Sequence, residues 1–207
     1  MSTARAAAQG KLFDIPASLP NGLVYRPDFL TPAEEEVLIA YLENLPMVHP
    51  TSEGYEAKRR LAVFGWSYDF RREKLIEGPP LPSFLRSSQR KIAKWLSISP
   101  ARVVEALVQE YTPGSAIGWH RDNEKFESII GISLAGWCRM RFRPLGLNQS
   151  KSRPRAAKDV VALELEPRSC YIMQGDVRWK WQHSVAPVKT LRYSITFRTL
   201  PVDWRPD

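Results

Sequence analysis

Cysteine is almost missing from this chain: Cys138 and Cys170 are the two among 207 residues, both inside apolar, strand-like runs. So few thiols, so placed, argue against a disulfide framework or a cysteine-built metal site, and fit buried free thiols in a reducing compartment. Long apolar runs are missing too. None approaches the ~20 residues of a membrane-spanning helix, so no membrane partner is expected. The N-terminus lacks the hydrophobic stretch of a secretory signal, which makes the cytoplasm the expected location. Histidine is rare, at three, and acidic residues are in deficit, 22 against 30 Lys and Arg, for a net charge of +8. That imbalance favours a polyanionic partner.

Aromatics, by contrast, are plentiful, with seven Trp, seven Tyr and eight Phe offering faces on which an extruded base could stack. With 43% hydrophobic and 25% charged residues, the chain has the composition and length for one core. The expected organisation is a flexible segment, 1–12, followed by a single domain over 13–207.

The rare histidines narrow the search for chemistry. In His120-Arg121-Asp122 an imidazole and a carboxylate are two residues apart, so in an extended segment they share a side and can reach one point. His183 supplies a second imidazole from far downstream. Two imidazoles and one carboxylate on one face of a metal leave several coordination positions open, as non-heme Fe(II) oxygenases require. His49, in Val48-His49-Pro50, has no such company and reads as a loop residue. Near the C-terminus, period-two alternation puts Arg192, Ser194, Thr196 and Arg198 on one face of a strand and Tyr193, Ile195 and Phe197 on the other. A polar stripe bracketed by guanidinium groups needs a polar guest or a hydrogen-bond network, because an unpaired buried charge is costly. A dicarboxylate suits it, since arginine grips carboxylates with paired hydrogen bonds.

Taken in order, Gln109-Glu110-Tyr111-Thr112-Pro113-Gly114, His120-Arg121-Asp122, His183 and the run Arg192 to Arg198 (RYSITFR) resemble the AlkB-like 2-oxoglutarate/Fe(II)-dependent dioxygenases. The likeness covers roughly the central and C-terminal two-thirds of the chain. It implies a mainly β fold with N-terminal helices (α+β), built on a double-stranded β-helix, or jelly-roll, core. It implies Fe(II) held by the catalytic residues His120, Asp122 and His183, and 2-oxoglutarate with its far carboxylate on Arg192 and Tyr111. Gln109, where relatives usually carry Asn, would bring an amide to the co-substrate. Arg198 would steady the metal-proximal carboxylate or Asp122; the two arginine α-carbons lie roughly 20 Å apart along a straight strand, so both heads must lean inward.

The same resemblance bears on the substrate. Gly65-Trp66-x-Tyr68 looks like the aromatic flap of such enzymes, within 46–82, with Arg71 and Arg72 as phosphate contacts and Glu124 aligned with an acidic position that meets the base. The implied reaction is N-demethylation of alkylated DNA or RNA, with release of succinate, CO2 and formaldehyde, by a monomer with no obligate protein partner. Read without the resemblance, Trp66 and Tyr68 are hairpin aromatics packed on the core and Glu124 a solvated loop carboxylate. Two other functions stay open: the same chemistry on a protein or lipid, or a non-catalytic nucleic-acid-binding module.

The elements follow from local signals. Thr31-Pro32-Ala33-Glu34 is a capping box opening a helix whose predicted buried face is Val37, Leu38, Tyr41, Leu42 and Leu45. A second helix is expected over 83–95, and from 102 onward short strands over 102–111, 128–134, 139–142, 160–165, 169–173 and 191–198. The loop 143–158 is basic and sparsely apolar, Asp176 shapes a turn, and Trp119 and Trp181 are expected to wall the pocket.

Overall fold

The computed structural model describes residues 19–52, 54–69, 71–146 and 160–204. The expected N-terminal segment and most of the basic loop lie outside the described residues; Arg143 belongs to a strand.

Three helices and thirteen strands matter here. In chain order they are β1 (Leu23–Arg26), α1 (Pro32–Glu43), β2 (Thr51–Ser52), β3 (Tyr55–Glu56), β4 (Arg60–Asp69), β5 (Lys74–Glu77), α2 (Arg86–Leu96), β6 (Val103–Tyr111) and β7 (Ile117–His120). Then come β8 (Ile129–Leu134), β9 (Cys138–Pro144), β10 (Val161–Leu165), β11 (Cys170–Met173), a single-turn helix α3 (Gly175–Trp179), β12 (Trp181–Val185) and β13 (Arg192–Thr199). A seven-stranded sheet runs β1-β11-β8-β13-β6-β4-β5 and a four-stranded sheet β10-β9-β12-β7, with antiparallel pairing throughout. This is the mainly β, jelly-roll-type core.

Alternation along the large sheet creates two apolar layers. On its outer side Val108, Ile132, Ile195 and Phe197 pack against Leu42 and Ile92 from α1 and α2. On its inner side Tyr111, Ile129 and Tyr171 meet Met140, Phe142 and Val185 from the small sheet. Each fully buried Leu, Ile or Phe stabilises the fold by about 1.5–3 kcal/mol. Because the polar stripe of β13 lies on that inner side, it faces space between the sheets.

The capping box of α1 forms as expected: Glu34 N donates to Thr31 Oγ1 at 3.2 Å, and Thr31 N to Glu34 Oε2 at 2.7 Å. The predicted buried face was too wide. Leu38 and Leu42 are buried, whereas Val37 and Tyr41 are 56% and 53% exposed. Glu35 takes the next inward position because Ala135 N and Arg168 Nη1 donate to its carboxylate at 2.9 and 3.3 Å. Tyr41 instead stacks on Phe84, rings 4.8 Å apart.

Region 46–82 is more regular than its sequence suggests, since β4 is a ten-residue strand shared between two partners. Up to Gly65 it pairs with β6, and from Trp66 it pairs with β5 in a projecting hairpin. Gly65 makes the change possible: its φ is +79° and a Cβ there would stand 2.0 Å from the Val104 carbonyl oxygen. Past the bend Tyr68 lines the space between the sheets, whereas Trp66 does not. It packs edge-on against Trp204, centroids 5.1 Å apart.

Candidate active site

The inner face is best followed as rungs across β6 and β13. Arg192 pairs with Tyr111, Ser194 with Gln109, Thr196 with Leu107 and Arg198 with Glu105. Beneath these rungs lies a cavity of about 590 Å³ whose walls include the residues of all four and His120, Asp122 and His183. Its size lies within the range of small-molecule sites.

At one end, His120 and His183 face each other in register on β7 and β12, ring centroids 4.2 Å apart. Asp122 reaches them by a different route from the one its spacing predicts. The strand ends at His120, and Asp122 stands in the loop beyond it. Its Oδ2 is 3.3 Å from His183 Nε2, and one ligand atom from each residue lies within 4.8 Å of the others. Arg198 fixes the carboxylate, donating from Nε and Nη2 to Asp122 Oδ1 at 3.2 and 2.6 Å. Its Nη1 donates to Glu105. The guanidinium fork is thus divided between two acids, and of the two roles expected for Arg198 the structure shows the contact to Asp122.

Electrostatics suit a metal. Burial pushes the Asp122 carboxyl up, but Arg198 and the two imidazoles overrule it and hold the group well below the usual carboxylate range. Burial lowers His183 to about 4 despite the pull of Asp122, leaving a neutral imidazole with a free lone pair. An ionised carboxylate with two imidazoles within reach is the donor set a divalent iron needs.

At the other end Arg192 is 2% exposed, its guanidinium 4.9 Å over the Tyr111 ring, and its Nε donates to Ser133 Oγ at 3.0 Å. Its Nη1 is buried with no partner, a cost that a bound carboxylate removes. Burial raises the Tyr111 phenol, which stays a neutral donor beside it. The Gln109 carbonyl already accepts from Arg59 Nε at 3.1 Å, so only its amide NH2 can serve a guest. The residues therefore fit 2-oxoglutarate: a dicarboxylate with one end at Arg192 and the other toward the metal ligands.

The other expected site residues are divided. Tyr68 lines both this cavity and an adjoining cleft of about 410 Å³, which Glu124 lines with Arg121, Lys125 and Trp179. Arg71 and Arg72 are exposed at the tip of the β4–β5 hairpin, where Arg72 pairs with Asp69 at 3.2 Å. Trp119 lines the main cavity, while Trp181 packs in the inter-sheet core. His49 is a loop residue as expected, its Nδ1 2.9 Å from the Ala57 carbonyl. Both cysteines are buried free thiols.

Three participants went unnoticed in the sequence. Glu105 could have been found by extending the period-two face of Tyr111, Gln109 and Leu107 by one more step. Arg59 and Arg178 carry no such signal. From α3, Arg178 donates Nη2 to the carbonyls of Asn123 and Phe126 at 2.6 and 2.8 Å, and Nη1 lies 3.4 Å from the Asp122 carbonyl, clamping the loop that presents the carboxylate.

Fold and site together define a non-heme iron oxygenase with a 2-oxoacid co-substrate. The pattern of the 2OG-Fe(II) oxygenase superfamily matches residues 22–198, and the chain belongs to that family, among its AlkB-like members. It is 28% identical over 193 residues to the "Alkylated DNA repair protein ALKBH8 homolog" of Arabidopsis thaliana, a match covering 84% of this chain and 53% of the relative. It is also 28% identical over 213 residues to the "Alpha-ketoglutarate-dependent dioxygenase alkB homolog 4" of Homo sapiens, covering 89% and 69%. The chain thus spans about half the length of the plant relative. The solved structure of OsALKBH1 shares the fold, with a TM-score of 0.64 at 16% identity over 88% of this chain and 98% of that one.

Proposed function

We propose that this protein removes alkyl groups from nucleobases of DNA or RNA by oxidative N-demethylation, using Fe(II), 2-oxoglutarate and O2. The observation that carries the reading is the cleft beside Asp122. It opens from the metal ligands, has Tyr68 and Trp179 as aromatic walls, and sets Arg121 and Lys125 beside Glu124. An extruded base stacks on such walls, its phosphates meet the cations, and its exocyclic groups meet the carboxylate. The plant relative, named as an alkylated DNA repair protein, points the same way.

In this reading His120, Asp122 and His183 hold the iron. Arg192 and Tyr111 take the far carboxylate of 2-oxoglutarate, and the Gln109 amide, oriented by Arg59, donates to it. When bound, the iron and co-substrate supply the oxidation of an N-attached methyl carbon by O2, yielding succinate and CO2. Arg198, shared with Glu105, keeps Asp122 aimed at the metal site. Arg178 holds the loop in place from behind. Tyr68, on the β4–β5 hairpin, walls the cleft and helps exclude water, with Arg71 as a phosphate contact at the hairpin's tip. The hydroxymethyl product on nitrogen breaks down to formaldehyde and the demethylated base, still attached to its sugar. The protein acts as a monomer in the cytoplasm; no helix among the described residues is long and apolar enough to cross a membrane.

Formaldehyde release decides the matter. Methylated single-stranded DNA, RNA and duplex are each compared with a methylated histone-like peptide. Release from a nucleic acid is expected, and release from the peptide alone would overturn the proposal.

A further inference from the structure

One phenol in the cavity has no assigned work. Tyr171, on β11, is 8% exposed and lines the cavity, yet its hydroxyl makes no hydrogen bond among the described residues. It is not one of the sealed polar atoms of the described residues, so it opens on the cavity and can take a partner there.

Its position is set by an unusual neighbour. Tyr171 pairs with Gly131 of β8, and Gly131 pairs with Thr196 of β13. Gly131 sits within a strand buried along its whole length, where glycine weakens the strand and marks a close approach. Here the approach is the phenol itself: a Cβ on Gly131 would stand 2.3 Å from two ring carbons and 2.5 Å from the hydroxyl oxygen. Any larger residue at 131 would expel the ring. The missing side chain lets the ring lie over the strand and extend its hydroxyl across it toward β13. There it comes level with Thr196, two residues from Arg198 and four from Arg192 along the strand. It lies within electrostatic reach of both Asp122 and Arg192. Burial, with Asp122 nearby, raises its pKa and keeps it a proton donor.

We infer that Tyr171 is a co-substrate-contacting residue: its hydroxyl donates a hydrogen bond to 2-oxoglutarate held between Arg192 and the metal ligands, and Gly131 is the residue that admits it. This rests on Arg192 as the anchor and is tested apart from it. Calorimetry on the full chain, with Mn(II) replacing the oxidisable iron, measures first the metal and then 2-oxoglutarate. Tyr171→Phe removes only an oxygen, so the fold should stay intact. It should weaken 2-oxoglutarate binding about ten-fold, as expected for a lost hydrogen bond to a charged group, with Mn(II) affinity within two-fold of wild type. Gly131→Ala, which displaces the ring, should weaken the co-substrate at least as much. Unchanged 2-oxoglutarate affinity in Tyr171→Phe overturns the inference, and so does a parallel loss of Mn(II), which would make the role structural. If wild type binds Mn(II) but no 2-oxoglutarate, the anchor reading itself fails and this inference falls with it. Loss in Arg192→Met with none in Tyr171→Phe keeps the anchor and discards only Tyr171.

Discussion

Arg192 concentrates the cost and the use of this site in one side chain. A guanidinium in a nearly closed interior, stacked on Tyr111 and bonded to Ser133 by Nε alone, leaves Nη1 without a partner. Such a group is retained for a ligand rather than for stability. Arg192→Lys keeps a charge but loses the planar fork, and should raise the dissociation constant for 2-oxoglutarate by about 10-fold to 100-fold, the range of one or two charge-assisted hydrogen bonds. Titration with the co-substrate in the presence of Mn(II) checks it; unchanged affinity would remove Arg192 from the site. Asp122 makes the complementary case. Asp122→Ala takes away a ligand and leaves two imidazoles, so turnover should fall below detection while Arg198 keeps Glu105 as a partner and the fold survives. Product formation and circular dichroism measured together check this, and retained turnover would refute the ligand set.

At the level of elements, signals written within a few residues translated directly into structure. The box Thr31-Pro32-Ala33-Glu34 is self-contained, and both of its hydrogen bonds form. Thr31→Ala should therefore cost about 1 kcal/mol, measured as a lower urea midpoint at unchanged slope. No shift would show that tertiary packing alone holds α1. The alternation of β13 was equally legible, because helices cover one face and the cavity lies against the other. What depended on distant partners was not. Asp122 looked like the next inward residue of a strand, but the strand stops at His120 and Arg178, over fifty residues downstream, holds the loop that carries it. Trp66 and Tyr68 read as a pair of cavity aromatics, but Trp66 packs on Trp204, far along the chain. β7 and β12 went unread because Ile-Gly-Trp-His and Trp-Gln-His-Ser-Val lack a clean period of two, although their pairing is what brings the histidines together.

Across the whole molecule, charge and cavity divide the labour. Inside, Arg198 is answered by Asp122 and Glu105, which fix its geometry and offset its charge. Exposed cations are what a polyanion can meet. Arg121 and Lys125 line the cleft and Arg71 and Lys74 stand exposed on the β4–β5 hairpin, while Arg72 is partly spent on Asp69. If these four neutralise phosphates of a single strand, each contributes about 0.7 to the dependence of log affinity on log salt, for a slope near −2.8. Replacing Arg71 and Lys74 together by Ala should flatten that slope by about 1.4 and weaken all sequences alike, since contacts to the backbone position the strand without reading it. Fluorescence anisotropy of a labelled oligonucleotide across a salt series measures both quantities. A slope that the double substitution leaves untouched would move the nucleic acid off the β4–β5 hairpin and confine its contacts to Arg121, Lys125 and the aromatic walls of the cleft.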